Sequence, residues 1–145
     1  MSEYNIRAAS TFDLPRIKHL LESEGLPYLG VPEHVETFYV AESDGTVFGV
    51  VGLEVYGDTA LLRSEVVLRS EQNKGVGGKL YQTILGYART TGIRRLILLT
   101  NTAEKYFRKK GFTLIPQSSV TGPVTSSVEF RGACPSHAVC MELIL

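Results

Sequence analysis

A glycine-rich loop at residues 72–78 offers the clearest chemistry in the sequence, which there reads Gln-Asn-Lys-Gly-Val-Gly-Gly. A predicted strand precedes this loop, and a predicted helix begins at about Gly77. The first N–H groups of a helix lack partners within it and lie at the positive end of the helix dipole, so they bind anions. Glycine also lets the backbone approach a phosphate closely. The loop is therefore predicted to hold a diphosphate, although tight turns use glycine for purely structural reasons as well.

Two familiar nucleotide-binding motifs do not fit this loop. The chain continues Gly77-Gly78-Lys79-Leu80, without the Gly-Lys-Ser/Thr ending of a Walker motif. The glycine spacing also differs from G-x-G-x-x-G, and the preceding strands are joined by hairpins rather than by the helix of a βαβ unit. The sequence thus argues against both a P-loop and a dinucleotide-binding fold.

Charged residues on the predicted central strands form a second set of candidates. A carboxylate of Glu65 or Glu54 buried near a cleft would have a raised pKa, which suits a general base. An outward-facing strand glutamate is the commoner alternative. Arg63 and Arg131 could each hold a substrate carboxylate through two parallel hydrogen bonds, with an exposed ion pair as the alternative. We predict Glu65 as the catalytic residue, and Arg63 and Arg131 as substrate-binding residues.

No metal site is predicted. The three histidines share no common spacing, and Cys134 and Cys140 are too far apart for a zinc-ligand pair. The two thiols could together bind a soft metalloid such as trivalent arsenic. The favoured interpretation is that Cys134 and Cys140 are small, buried, apolar side chains.

Hydrophobic periodicity predicts the elements that must position these groups. A strand at 5–9 precedes a helix whose apolar residues recur at helical spacing and which Gly25 and Pro27 end. Three strands at 38–42, 47–56 and 60–68 form an antiparallel meander, since Asp44-Gly45 suits a tight hairpin turn. The elements that follow the glycine loop are a helix, a buried strand at 93–100, a short helix at 102–110, and strands at 112–115 and 138–145. This order predicts the α/β (α+β) class.

Length and charge bound the function. The chain of 145 residues is predicted to form a single domain, 1–145. Its 15 basic and 15 acidic residues give a formal net charge of zero, so no global field attracts nucleic acid or an anionic membrane. The first residues lack the pattern of a signal peptide, which favours a cytoplasmic location. Exposed strand edges are compatible with a homodimer.

Two motifs resemble those of the GNAT superfamily of N-acetyltransferases. The first is Gln72-x-x-Gly75-x-Gly77, which is similar to the family's Q/R-x-x-G-x-G/A signature. The second is Ala103-x-x-x-Phe107-x-x-x-Gly111-Phe112, which is similar to its second helix motif. The resemblance implies a GNAT fold, which has about four helices and a central mixed, mostly antiparallel sheet of six to seven strands. It also implies that the fourth and fifth strands, here about 61–68 and 95–100, are splayed.

The same resemblance implies acetyl-CoA as cosubstrate, with its pantetheine arm between the splayed strands. Main-chain groups of Glu65, Val66 and Val67 would bind the arm and polarise the acetyl carbonyl, as backbone donors do at a developing oxyanion. The cofactor-binding residues it implies are Val66, Val67, Gln72, Asn73, Lys74, Gly75, Val76, Gly77 and Gly78. The basic cluster at 108–110 either contacts the adenosine 3'-phosphate or is a solvated helix end.

The resemblance also bears on the proton donor for the leaving thiolate. In many superfamily members a tyrosine on the short helix supplies this proton, but the matching position here is Phe107. Tyr106 is adjacent, and one residue along a helix turns a side chain by about 100°. We therefore expect water rather than a tyrosine to protonate the thiolate.

Further segments suggest the acceptor. Leu62-Arg63-Ser64 and Leu98-Leu99-Thr100 are similar to the amino-acid N-acetyltransferases, and 129–141 resembles an arsenic-resistance-linked branch. These likenesses predict acetylation of the primary amine of a small molecule, an amino acid or an analogue of one. The alternatives are a protein N-terminal or lysine acetyltransferase, and a non-catalytic acyl-CoA sensor.

Overall fold

The computed structural model describes residues 3–133 and 138–145, which form a seven-stranded sheet with helices on both faces. The strand order is β1-β2-β3-β4-β5-β7-β6, and every neighbouring pair is antiparallel except β4 and β5. The strands are β1 (Asn5–Ala8), β2 (Phe38–Ser43), β3 (Thr46–Tyr56), β4 (Thr59–Val67), β5 (Arg95–Thr100), β6 (Thr113–Ile115) and β7 (Val139–Ile144). The α-helices are α1 (Leu14–Ser23), α2 (Val31–His34), α3 (Val76–Thr90) and α4 (Glu104–Lys109). The predicted fold class is confirmed.

The core is divided between the two faces of the sheet. Helices α3 and α4 cover one face, where Leu80, Tyr81 and Ile84 of α3 are buried against β2 to β5. Helix α1 covers the other face through Ile17, and the segment after α2 adds to the same cluster. Alternation along β2 explains this division, because Val40 belongs to the α1 side and its neighbour to the α3 side.

Strands β4 and β5 separate beyond their first residues. They pair only from Thr59–Arg95 to Leu61–Ile97, although β4 continues to Val67 and β5 to Thr100. The backbone groups that the outer half of β4 turns toward β5 therefore find no strand partner there, although both strands are fully described. The sheet opens into a gap at this point.

A β-bulge in β4 determines which side chains face this gap. The register with β3 shifts where Ser64 adopts a φ of 62°, in the left-handed region. Leu62 and Val67 both pack on the α3 side, which simple alternation over five residues forbids. The bulge thus moves Glu65 onto the face that α3 and α4 cover.

Candidate functional site

The glycine loop ends at the N-terminus of α3, as its sequence predicts. Gly75 caps the helix with a φ of 83°, and Lys79 N–H donates the first helical hydrogen bond to the Gly75 carbonyl at 3.1 Å. The N–H groups of the three residues between them therefore have no partner within the helix. An added Cβ at Gly75 or Gly78 would meet no atom within 4 Å, so the loop backbone borders open space.

This backbone borders a cavity of about 550 Å³ between α3, α4 and the outer half of β4. Its lining includes Val66, Val67, Gln72, Asn73, Gly75, Gly77 and Gly78, which are seven of the nine residues predicted to bind the cofactor. The other two do not line it: Lys74 Nζ lies 3.3 Å from Glu71, and the Val76 side chain is buried in the core. Free N–H groups, glycine backbone and open space together fit a diphosphate.

Gln72 fixes the position of the loop relative to the gap. Its side-chain Nε2 donates a hydrogen bond to the Val67 carbonyl at 2.9 Å, which joins the start of the loop to the end of β4. Asn73 assists the turn with a φ of 65°, a conformation that asparagine adopts more readily than most residues. The polar side chain of Gln72 therefore has a structural partner that its motif alone does not reveal.

The Glu65 carboxyl group lies where the cavity of about 550 Å³ meets the gap between β4 and β5. Its Oε1 is buried and has no hydrogen-bond partner among the described residues. Burial raises the pKa of Glu65 to about 7, against the weaker opposing effects of a hydrogen bond from Tyr106 and the charge of Lys110. A carboxyl group with this pKa exchanges a proton near neutrality, which suits a general base.

Tyr106 reaches the same cavity, which sequence reasoning did not anticipate. Phe107 is buried at the family's tyrosine position, while the Tyr106 hydroxyl hydrogen-bonds the Glu65 carboxyl group. Burial and the Glu65 charge raise the pKa of Tyr106, and Lys110 Nζ lies 5.2 Å from the centre of its ring. The two side chains meet because the bulge places Glu65 on the face that α4 covers. The rotation of about 100° between neighbouring helical residues separates Tyr106 from Phe107. It says nothing about the bulge in β4, which brings Glu65 to Tyr106.

Tyr106→Phe is expected to shift the pH dependence of activity upward by roughly 0.5 to 1 pH unit. The hydroxyl stabilises ionised Glu65 and so lowers its pKa. Removing the hydroxyl raises that pKa, and less Glu65 is deprotonated at pH 7. The measurement is kcat/KM from pH 5.5 to 9, with Tyr87→Phe on α3 as the matched control. An unchanged midpoint in Tyr106→Phe would contradict the contact's role.

The gap continues into two smaller cavities on the far side of Glu65. A second cavity of about 230 Å³ shares Glu65, Val66, Thr102, Ala103 and Phe107 with the first. A third, of about 110 Å³, shares Arg63, Ser64 and Thr100 with the second. The two smaller spaces are called the acceptor cavities below. A path therefore runs from the α3 N-terminus, past Glu65, to a small enclosed space.

Arg63 borders both acceptor cavities, but protein partners surround its guanidinium. The side chain is fully buried, and Nη1 donates to Glu54 Oε2 and to the Leu29 carbonyl, both at 2.7 Å. Nη2 donates to the Pro27 carbonyl at 3.0 Å, and Nε lies 3.3 Å from Glu129 Oε2. The other predicted substrate ligand, Arg131, is exposed and lines none of these cavities in the described chain. The structure thus brings Glu65 and Arg63 together and leaves Arg131 outside.

Glu54, the other candidate base, lies on β3 away from the gap. Burial alone would raise its pKa, but hydrogen bonds from Tyr56 and Arg63 hold the pKa below its ordinary value. His34 Nε2 also lies 3.7 Å from its carboxylate. A carboxylate that stays ionised among fixed donors is an anchor for Arg63 rather than a proton acceptor.

The cysteines and the basic cluster at 108–110 are the remaining candidates from the sequence. Cys140 is buried in β7, and burial raises the pKa of its thiol to about 11, while Cys134 lies outside the described residues. No cluster of metal-ligating side chains occurs within 3–133 and 138–145. In the basic cluster at 108–110, Lys110 lines a cavity together with Gly75 and Gly78 of the glycine loop. Arg108 instead forms an ion pair with Glu104. The described helices are all too short or too polar to cross a membrane.

A family model for the acetyltransferase (GNAT) domain matches residues 34–114, which is more than half of the chain. The chain belongs to the GNAT acetyltransferase family. An amino-acid acetyltransferase of Mycobacterium tuberculosis is 31% identical over 144 residues, covering 92% of this chain and 79% of that protein. An amino-acid acetyltransferase of Neisseria meningitidis is 28% identical over 138 residues, covering 88% of this chain and 31% of its own length. This GNAT chain thus spans about a third of the Neisseria relative.

Solved structures support the GNAT fold. N-acetylglutamate synthase from Neisseria gonorrhoeae, complexed with coenzyme A and N-acetyl-glutamate, superimposes with a TM-score of 0.82 at 24% identity, covering 100% of this chain and 36% of its own. A Mycobacterium tuberculosis protein in complex with CoA gives a TM-score of 0.78 at 25% identity, covering 97% of this chain and 99% of its own. These two proteins with the same fold are thus crystallised with coenzyme A.

Proposed function

We propose that this protein transfers the acetyl group of acetyl-CoA to the primary amine of a small molecule, an amino acid or an amino-acid analogue. The observation that carries the proposal is the position of Glu65. Its carboxyl group, with an unpartnered buried oxygen and a pKa near 7, lies between the anion-binding start of α3 and the acceptor cavities. A proton acceptor at this junction is what amine acetylation requires.

The residues of the chain divide the work as follows. The N–H groups at the start of α3 hold the diphosphate, and main-chain groups of Val66 and Val67 line the path of the pantetheine arm. Glu65 takes one proton from the acceptor ammonium, the amine nitrogen bonds to the acetyl carbon, and the carbon–sulfur bond breaks. The new amide nitrogen releases a second proton to solvent. The leaving sulfur takes back one proton, for which the Tyr106 hydroxyl beside Glu65 is a donor lining the same cavity.

An amino acid as acceptor is supported by the relatives and by the size of the acceptor cavities. The Mycobacterium tuberculosis relative at 31% identity is an amino-acid acetyltransferase. Spaces of about 230 and 110 Å³ suit a free small molecule better than a polypeptide. A protein N-terminal or lysine acetyltransferase would need a more open groove. The likeness of 129–141 to an arsenic-resistance-linked branch keeps arsenical amino acids among the acceptors to test. A single domain, a homodimer and a cytoplasmic location stay predictions from the sequence.

The experiment that tests the function measures thiol release from acetyl-CoA across a panel of acceptors. The panel contains the common amino acids, amino-phosphonates, arsenical amino acids and dipeptides. We expect turnover with one class of free amino compound, and its loss in a Gly75→Glu variant that blocks the glycine loop. Tight acetyl-CoA binding without turnover of any amine would overturn the proposal in favour of the acyl-CoA sensor.

A further inference from the structure

The guanidinium of Arg63 joins three parts of the chain that lie far apart in sequence. The loop between α1 and α2 is held through the Pro27 and Leu29 carbonyls, at separations of 36 and 34 residues. Strand β3 is held through Glu54, and the segment after residue 126 through Glu129. We call this arrangement the Arg63 tie. These groups converge on one fully buried side chain, so none of the three parts can move away without breaking a charged hydrogen bond or, for Glu129, an ion pair.

Gly30 shows how closely the parts approach. An added Cβ there would lie 3.0 Å from Arg63 Nη1 and 3.0 Å from Val128 Cγ2, and 3.6 Å from Glu54 Oε2. Gly30 itself is buried with a φ of 85°. The α1–α2 loop therefore lies tightly between β4 and Val128, and a methyl group at Gly30 fits only if Arg63 or Val128 shifts by a few tenths of an ångström.

The same residues form a wall of the acceptor cavities. Pro27, Arg63 and Glu129 all line the smaller cavity, and Arg63 lines the larger one as well. The tie therefore closes the end of the path that begins at the α3 N-terminus. A carboxylate on an acceptor would have to compete with Glu54 and Glu129 for the guanidinium, so Arg63 is poorly placed as a substrate ligand.

We propose that Arg63 is a positioning residue that sets acceptor size: by tying the α1–α2 loop and the Glu129 segment over the acceptor cavities, it restricts the enzyme to free small amines. The inference rests on the proposed function and adds to it the residue that excludes peptides. Charged hydrogen bonds and ion pairs hold this wall in place, and a larger acceptor could enter only by breaking them.

Two variants loosen the tie without leaving Arg63's buried carboxylate partners uncompensated. Gly30→Ala places a methyl group against Arg63 and Val128, and Glu129→Gln removes one charge from the guanidinium's partners. Gly92→Ala is the matched control, because Gly92 has a φ of 87° and open space around an added Cβ. It imposes the same backbone strain as Gly30→Ala at the end of α3, away from the cavities. Thermal unfolding confirms that each variant is folded.

The measurement compares kcat/KM for the free amino compound turned over best in the panel with kcat/KM for the dipeptide that it forms with glycine. We expect both tie variants to raise the KM of the free acceptor and to lower the ratio of the two kcat/KM values by roughly tenfold or more. The KM for acetyl-CoA should stay within about twofold, and Gly92→Ala should change neither quantity. A general loss of structure would lower both kcat/KM values together and leave their ratio unchanged.

The two proposals fail in different ways. No turnover of any amine by the wild-type protein would overturn the proposed function itself. Turnover by the wild type, with the same preference for the free acceptor in Gly30→Ala and Glu129→Gln, would overturn the role of Arg63 alone.

Discussion

Glu65→Gln is expected to lower kcat by roughly 100- to 10,000-fold, the range that a general base contributes. Glutamine keeps the size of the side chain but cannot accept the proton of the acceptor ammonium. The Kd for acetyl-CoA should change by less than about threefold, because in the proposed mode the backbone of the glycine loop holds the diphosphate and this carboxylate does not. Thiol release gives kcat, and calorimetric titration of acetyl-CoA gives the Kd.

Glu33→Gln provides the control for loss of a negative charge. Glu33 is an exposed residue of α2, outside the cavities that surround Glu65. This variant should keep the activity of the wild type. A kcat for Glu65→Gln within about threefold of the wild type would contradict Glu65 as the base and leave proton removal to water.

The pKa of Glu65 also predicts a pH dependence in the wild type. Only the ionised carboxylate accepts a proton, and burial raises its pKa to about 7. Activity should therefore fall tenfold per pH unit well below pH 7 and level off above it. The residual activity of Glu65→Gln should not show this fall with a midpoint near pH 7.

The raised pKa of Glu65 should also lower the stability of the folded protein at high pH, where activity is greatest. In the unfolded chain Glu65 has a pKa near 4.5, whereas in the folded chain it is about 7, so the folded state binds the proton more tightly. Below pH 4.5 the group is protonated in both states, and between pH 4.5 and 7 its contribution to the free energy of unfolding is lost. Above pH 7, Glu65→Gln should be more stable than the wild type by up to about 3 kcal/mol, and the difference should vanish near pH 4. Denaturant unfolding at pH 4 and pH 8 measures both values.

Local signals in the sequence predicted much of the fold and one part of the site. The Asp44-Gly45 turn adopts the positive φ angles that its residues favour, 50° and 77°, and thereby fixes the β2–β3 hairpin. Gly75 marks the start of α3 in the same way. Both are properties of two or three consecutive residues, so pattern reading suffices.

The residue type of Glu65 made it a candidate base in the sequence, but its contact with Tyr106 could not be predicted because that contact depends on the bulge. Ser64 has no sequence signature for a left-handed φ, yet its conformation decides whether Glu65 faces α1 or α4. With regular alternation Glu65 would lie on the face of Arg63, and Tyr106 would have no carboxylate partner. The left-handed φ of Ser64 therefore decides whether Glu65 lies on the α1 face of the sheet or is buried beside Tyr106 with a raised pKa.

Arg63 illustrates a second limit. Its residue type fits a carboxylate ligand, and sequence reasoning assigned it to the substrate. Its actual partners come from a loop 34 to 36 residues earlier and from Glu129, which folding alone brings together. The segment 116–127 shows the same effect. Its Ser, Thr, Pro and Gly residues are typical of a surface loop, yet Val120 and Val124 are buried against Leu61 and Ile97. Long-range packing is not encoded in any local pattern.

Gly75→Glu is expected to weaken acetyl-CoA binding by roughly 100-fold or more. Gly75 lies next to the three N–H groups that no helical partner uses, and the space around its Cβ position is open. A glutamate there therefore fits the folded protein but brings a negative charge to the place where the diphosphate would lie. Like charges at this distance repel, and the side chain also competes for the N–H groups.

The comparison with Gly92→Glu separates this effect from backbone strain. The two glycines have φ values of 83° and 87°, and neither has an atom within 4 Å of an added Cβ. Each substitution should thus reduce stability by a similar amount, about 1 to 2 kcal/mol for a left-handed residue with a side chain. Only Gly75→Glu should lose acetyl-CoA binding in calorimetric titration. Equal affinities in the two variants would show that the N-terminus of α3 does not hold the diphosphate, and would leave the cavity beside Glu65 without a role in binding the cosubstrate.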